Sequence, residues 1–119
     1  MKTLAIDDNE DILSLVKVVL QSERYDFESV NDGRSGLKLM EENTYDAVLL
    51  DIAMPRFSGK DVVNALVENR MIKKQPIIFF TASSISDSEI DEMTKQGVYT
   101  CLRKPMEIDS LINLLKSLS

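Results

Sequence analysis

The chain of 119 residues contains no histidine, and Cys101 is its single cysteine. Without histidine, most zinc sites and every Ser-His or Cys-His catalytic pair are excluded. One thiol cannot form an internal disulfide, so a reducing compartment is the simplest interpretation. Because Cys101 lies in an apolar run, we expect it to pack as a small hydrophobe, as buried free cysteine usually does.

Long apolar runs and excess positive charge are also missing. No stretch approaches the ~20 apolar residues of a membrane span, and the segment before Asp7 is too short for a signal peptide. A cytoplasmic location is therefore predicted. The chain has 14 Lys and Arg against 20 Asp and Glu, a net charge of −6. This balance argues against a nucleic-acid-binding surface, which needs a basic patch.

Proline and glycine are scarce, with three and four residues respectively. No Pro/Gly/Ser-rich linker, internal repeat or low-complexity tract divides the chain. The apolar fraction of 44% and the charged fraction of 29% are typical of a folded globular protein. We therefore predict a single domain over residues 1–119.

Short apolar runs alternate with longer amphipathic stretches five times along the chain. The runs cover residues 3–6, 27–30, 47–50, 76–80 and 98–102. Four read as strands covered on both faces, whereas 27–30 is more polar and suits an edge strand. The stretches between them have apolar residues at helical spacing. This pattern predicts an α/β fold, a flavodoxin-like (βα)5 doubly wound parallel sheet in the order 2-1-3-4-5 with helices on both faces, a three-layer αβα sandwich.

Polar residues stand at the ends of four of the predicted strands. Asp7 and Asp8 close the first run, Asp51 the third and Thr81 the fourth, and Lys104 follows the fifth. The ends of parallel strands converge on one edge of the sheet, where open α/β proteins place their sites. Clustered carboxylates repel one another unless a cation or a proton intervenes. Carboxylates, a hydroxyl and an ammonium around a hard divalent ion indicate a phosphoryl-transfer site.

Each of these residues also has a purely structural interpretation. Asn favours the N-cap of a helix and acidic residues favour its first turn, and these roles account well for Asn9, Glu10 and Asp11. It accounts less well for Asp7, which directly ends an apolar run. Asp51 could form a turn. The functional hypothesis depends on all these residues occurring together.

From end to end the chain resembles the CheY-like receiver domain of two-component response regulators. Order, spacing and strand-end placement all agree with that family. The motifs that carry the resemblance are Asp7-Asp8, Asp51-Ile52-Ala53-Met54-Pro55 with Gly59, Thr81-Ala82 and Lys104-Pro105.

The resemblance implies that Asp51 accepts a phosphoryl group from a histidine of a sensor kinase in a Mg²⁺-dependent reaction. It further implies that Asp8, Asp51 and the backbone carbonyl of Ala53 are metal ligands, while Asp7 acts through a bound water. This small number of protein ligands suits Mg²⁺, which keeps several water molecules as ligands. Mn²⁺ is expected to substitute for it.

By the same resemblance, Lys104 pairs with a phosphoryl oxygen, and Thr81 is the hydroxyl that moves inward after phosphorylation. The face formed by helix 4, strand 5 and helix 5 then changes, which alters partner binding. The implied partners are a sensor histidine kinase or histidine phosphotransfer protein and a downstream protein or attached output domain, with neither nucleic acid nor membrane. The chain is expected to dephosphorylate itself slowly and to act as a switch rather than as an enzyme with turnover.

The chain departs from the family pattern three residues before Lys104, where an aromatic residue is common and Cys101 stands here. Tyr99, two residues earlier, lies on the same side of an extended strand and is a candidate replacement. The output coupling is therefore expected to differ from the family's threonine–tyrosine scheme.

Three other functions are compatible with such a fold. A flavodoxin needs a phosphate-cradling loop after strand 1, and the acidic residues 7–11 would repel a phosphate there. An aspartate-dependent phosphatase or mutase typically carries a second aspartate two residues after the nucleophile, where this chain has Ala53. A phosphorylation-independent interaction module would most simply have lost Asp51, Asp8 or Lys104, and all three are present.

Overall fold

The structure is a computed structural model that describes residues 1–81, 86–103 and 107–118. Strands and helices alternate along the whole of this part of the chain. None of the helices described is long and apolar enough to cross a membrane. The elements are β1 Lys2–Ile6, α1 Glu10–Ser22, β2 Asp26–Val30, α2 Gly33–Glu42, β3 Ala47–Asp51, α3 Gly59–Glu68, β4 Ile77–Thr81, α4 Asp87–Gln96, β5 Thr100–Arg103 and α5 Ile108–Leu118.

The strands form one parallel sheet in the order β2-β1-β3-β4-β5. Ile6 pairs with Leu50 across β1 and β3, and Asp51 pairs with Phe80 across β3 and β4. The predicted topology is therefore confirmed. In this order β2 lies on one side of β1, and β3, β4 and β5 lie on the other. The carboxyl ends of β1 and β3 therefore flank the switch point of the sheet.

The helices cover both faces of the sheet and create two hydrophobic cores. Central strand β3 is buried along its whole length, and its side chains alternate between the two. Val48 and Leu50 pack with α2, α3 and α4 side chains such as Met40 and Leu66. Ala47 and Leu49 face the other core, which α1 and α5 supply with Val16, Val19, Leu20, Leu111 and Leu115.

Capping residues define where the helices begin and end. Asn9 caps α1 by accepting from the N–H groups of Asp11 and Ile12, as the acidic first turn predicted. Ser86 caps α4 by accepting from the Glu89 N–H at 3.2 Å. Gly97 ends α4 at φ 125°, a positive value that favours glycine.

The fifth strand differs from its prediction. The apolar run 98–102 was expected to be covered on both faces, but β5 begins at Thr100, and its residues are half-buried or exposed. The reason is that β5 is an outermost strand of the sheet and pairs only with β4. Tyr99 precedes the strand and keeps 49% of its surface exposed. The prediction that 27–30 is an edge strand is confirmed, because β2 flanks β1 alone.

Candidate metal and phosphoryl-transfer site

The register of β1 against β3 brings three aspartates together. Ile6 lies opposite Leu50, so the next residues, Asp7 and Asp51, leave the sheet side by side. Carboxylate oxygens of Asp7, Asp8 and Asp51 all lie within 4.8 Å of one another. Asp7 and Asp51, 44 positions apart in the chain, therefore belong to one cluster, at the carboxyl ends of the strands, as their strand-end positions predicted.

Two of the three carboxylates are buried. Asp7 and Asp51 are 2% and 3% exposed, while Asp8 faces solvent. Asp7 Oδ1 accepts a hydrogen bond from the Asn9 backbone N–H at 2.9 Å. Asp51 Oδ1 accepts a longer one, 3.4 Å, from the Ala53 N–H. Local backbone donors thus hold the two buried carboxylates, and Asp8 leaves the cluster open to solvent on one side.

The acidic run at residues 7–11 divides between two roles. Asn9, Glu10 and Asp11 form the N-terminal cap and first turn of α1, as their structural interpretation predicted. Asp7 and Asp8 instead belong to the three-carboxylate cluster. The division occurs because β1 ends at Ile6 and α1 begins at Glu10, which leaves Asp7 and Asp8 at the sheet edge.

The chemistry of this donor set fits Mg²⁺. All the side-chain donors are carboxylate oxygens, the ligands that hard divalent cations prefer. Three carboxylates this close repel one another, and a divalent cation would offset that repulsion. When bound, such an ion would reduce the repulsion between these carboxylates and an incoming phosphoryl group.

The loop after β3, residues 52–58, is closed at its base by backbone hydrogen bonds. The Gly59 N–H donates to the Ile52 carbonyl at 2.9 Å, and the Ile52 N–H donates to the Phe80 carbonyl at 3.2 Å. A Cβ on Gly59 would lie 2.3 Å from the carbonyl oxygen of Asp51. Only glycine allows α3 to begin so close to the end of β3.

The other predicted site residues are placed only in part. Thr81 ends β4 and pairs with Arg103 of β5, so that its backbone reaches the same edge of the sheet. The side chain of Thr81, and Lys104 and Pro105, lie outside the described residues. Their predicted roles stay predictions.

Cys101 is half-buried and packs against the core that contains α2, α3 and α4. Burial raises the pKa of the Cys101 thiol, and the nearby positive charge of Arg103 opposes this shift with a smaller effect. The thiol therefore stays protonated at neutral pH, as expected of a small hydrophobe. No aromatic ring occupies this position.

Comparison with known proteins settles the family. The family model described as "Response regulator receiver domain" matches residues 3–116. This chain belongs to the receiver-domain family. The predicted resemblance is thereby confirmed over nearly the whole chain.

Relatives of this receiver domain include longer regulators. It is 31% identical over 119 residues to the transcriptional regulatory protein CpxR homolog of Haemophilus influenzae, covering 98% of this chain and 49% of that protein. The chain spans about half the length of the first curated relatives it matches.

Solved receiver domains have the same fold. The receiver domain of a Francisella response regulator is 29% identical, with a TM-score of 0.88 and coverage of 98% of this chain and 94% of that one. The response regulator protein TrrA of Thermotoga maritima, solved in complex with Mg²⁺-BeF, is also 29% identical, with a TM-score of 0.82 and coverage of 99% and 98%.

Sequence reasoning missed several residues that contact or bound the loop after Asp51. Gly33 and Arg34 at the start of α2 contact Phe57 in the loop after Asp51. Ser58 and Asp61 form a full capping box that sets the start of α3. The Ser-x-x-Asp spacing could have predicted the cap of α3, whereas no local pattern predicts a contact between α2 and this loop.

Proposed function

We propose that this receiver domain is a phosphorylatable switch in which Asp51 accepts a phosphoryl group from a phosphohistidine of a sensor kinase or phosphotransfer protein. An oxygen of the Asp51 carboxylate attacks phosphorus, and an O–P bond forms while the histidine N–P bond breaks. The product is an acyl phosphate and a free imidazole. The observation that carries this proposal is the cluster of Asp7, Asp8 and Asp51 at the switch point, with Asp51 buried at its base.

Asp8, Asp51 and the Ala53 carbonyl would hold Mg²⁺ directly, and Asp7 would hold it through a water. The donors are few, which suits an ion that keeps much of its hydration shell. The same oxygen donors suit Mn²⁺, which we expect to substitute. Lys104 follows β5 and would bring a positive charge to the phosphoryl oxygens. The transition state is loose, so positioning and charge account for most of the rate.

Phosphorylation would then shift the domain between two conformations. The Thr81 hydroxyl would hydrogen-bond a phosphoryl oxygen, and the end of β4 would move with it. The face formed by α4, β5 and α5 would change, and with it the affinity for a downstream protein or an attached output domain. Water attack on phosphorus would break the acyl O–P bond, release phosphate and restore the Asp51 carboxylate, so that the signal decays without turnover of an external substrate.

We further propose that residues 1–119 form a single receiver domain, and that its partners are proteins rather than nucleic acid or membrane. The net charge of −6 supports the absence of a nucleic-acid surface. The cytoplasmic location stays a prediction.

The test is phosphorylation by a small acyl phosphate donor, followed by intact-protein mass spectrometry. Wild-type protein should gain the mass of one phosphoryl group with Mg²⁺ and none with EDTA. Asp51→Asn should gain none under either condition. The adduct should be released by hydroxylamine, which cleaves acyl phosphates.

Asp91→Asn is the matched control, because Asp91 is an exposed aspartate on α4 outside the carboxylate cluster. It should be phosphorylated like the wild type. A phosphoryl adduct on Asp51→Asn, or one that forms equally well in EDTA, would show that the reaction does not take place at this site.

A further inference from the structure

The carbonyl of Ala53 is the one proposed metal ligand that belongs to the backbone. Ala53 is exposed, and its methyl group cannot orient the carbonyl. The direction of that carbonyl therefore depends on how the loop 52–58 is held. The backbone bonds at Ile52 and Gly59 close the base of the loop, but they leave its far side to be held by other contacts.

That far side is held by α2. We propose that Gly33 and Arg34, the first two residues of α2, are positioning residues for the Mg²⁺ site: they hold Phe57 and, through it, the loop that presents the Ala53 carbonyl. This inference rests on the proposed function, because it concerns the same metal site.

The Gly33 contact is between two backbones. A Cβ on Gly33 would lie 2.3 Å from the Phe57 carbonyl oxygen and 3.1 Å from Cδ2 of the Phe57 ring. A carbonyl oxygen cannot rotate away as the tip of a flexible side chain can. Any larger residue at position 33 would therefore displace the loop or the start of α2.

The Arg34 contact holds the same residue from its ring face. The guanidinium carbon of Arg34 lies 4.6 Å from the centroid of the Phe57 ring, within the range of a cation–π interaction. Phe57 also packs against the core that contains α2 and α3. Phe57 is thus fixed by the Gly33 backbone, the Arg34 cation and the core.

Phe57 can transmit this restraint to Ala53 because the intervening loop is short and anchored. Three residues separate them, and Met54 among these is buried. The Phe57 N–H donates to the Pro55 carbonyl at 2.7 Å, and Arg56 adopts a left-handed φ of 69°. A shift of Phe57 therefore changes the backbone path back to Ala53, and residues that orient a metal ligand typically affect metal affinity.

The test is the dissociation constant of Mg²⁺, measured by titration calorimetry on folded protein, with far-UV circular dichroism as the check on folding. Gly33→Ala should raise the Mg²⁺ Kd about tenfold. Arg34→Ala should raise it about two- to fivefold, and Arg34→Lys should restore most of the affinity because the cation remains. The Arg34→Ala effect should disappear in a Phe57→Leu background, since no ring is left to hold.

Gly97→Ala is the matched control. A Cβ there would meet Cγ1 of Ile72 at 2.8 Å, and its φ of 125° disfavours alanine, so the variant should lose stability. Gly97 ends α4 and lies at the end of the sheet opposite the carboxylate cluster. Two residues later, the Tyr99 N–H donates to the carbonyl of Ile77, the first residue of β4. Its Mg²⁺ Kd should equal that of the wild type.

Two results would overturn the inference while leaving the proposed function intact. One is an unchanged Mg²⁺ Kd in both Gly33→Ala and Arg34→Ala. The other is a rise in Kd that Gly97→Ala reproduces, since it would then follow from lost stability alone. Failure of the wild-type protein to bind Mg²⁺ would instead refute the proposed metal site itself.

Discussion

Neutralising one carboxylate of the cluster should stabilise the metal-free protein. The change is Asp8→Asn, which keeps the size of the side chain and removes one negative charge. Oxygens of Asp7, Asp8 and Asp51 lie within 4.8 Å of one another, so that each ionised pair opposes folding. A functional site of this kind lowers the stability of the folded protein.

The magnitude follows from the distance and the exposure of Asp8. At 4.8 Å, the upper limit of the separations in the cluster, two unit charges repel by about 0.9 kcal/mol in water and by about 3.5 kcal/mol at an effective dielectric constant near 20. Asp8 is exposed, so the lower figure applies, and its two pairs amount to about 2 kcal/mol. Loss of a negative charge near the start of α1 removes about 0.5 kcal/mol. The free energy of unfolding should therefore rise by about 1.5 kcal/mol.

The assay is urea unfolding followed by circular dichroism, since the chain has no tryptophan. In EDTA, Asp8→Asn should unfold at higher urea than the wild type, and about 1 M salt should shrink the difference by screening. With Mg²⁺ at about 100 times its Kd, the wild type should gain about 2.7 kcal/mol. The variant should gain much less, so the order of stability reverses.

Asp11→Asn is the control, because Asp11 lies in the first turn of α1 and outside the cluster. It should lose a few tenths of a kcal/mol through the helix dipole in EDTA and keep the full response to Mg²⁺. If Asp8→Asn were less stable than the wild type without metal, the repulsion argument would be refuted. An undiminished Mg²⁺ response in Asp8→Asn would refute its role as a ligand.

Two further predictions concern residues outside the carboxylate cluster. Gly59→Ala places a Cβ 2.3 Å from the Asp51 carbonyl oxygen, so it should cost about 1–3 kcal/mol in urea unfolding and slow phosphorylation; wild-type stability would contradict the close approach. Burial raises the pKa of Tyr45 from 10.0 to about 12, and the hydrogen bond that the Tyr45 hydroxyl donates to Glu28 and the negative charge of Glu28 add to this shift. Because the folded-state value is the higher one, the stability that Tyr45 adds over Tyr45→Phe should be constant below pH 10 and fall as the pH rises toward 12. A difference unaffected by pH over that window would contradict it.

Much of this receiver fold could be predicted from local patterns. Apolar runs such as 47–50 are continuous because β3 is covered on both faces, and the more polar 27–30 belongs to an edge strand. The edge of the sheet that carries Asp7 and Asp51 followed from the parallel arrangement alone. The fifth strand was less predictable, because an apolar run does not reveal that the strand lies at the side of the sheet, where only β4 pairs with it.

The sequence by itself determined which segments are strands and helices, the end of the sheet that carries the site and the kinds of side chain found there, because alternation and strand-end position are properties of short segments. Only the tertiary structure decided that Asp8 and Asp51 come within 4.8 Å of each other and that Gly33 touches the Phe57 carbonyl. Both contacts join segments distant in the chain. Their distances depend on strand register and on how closely two backbones approach, and neither quantity is encoded in the neighbourhood of any one residue.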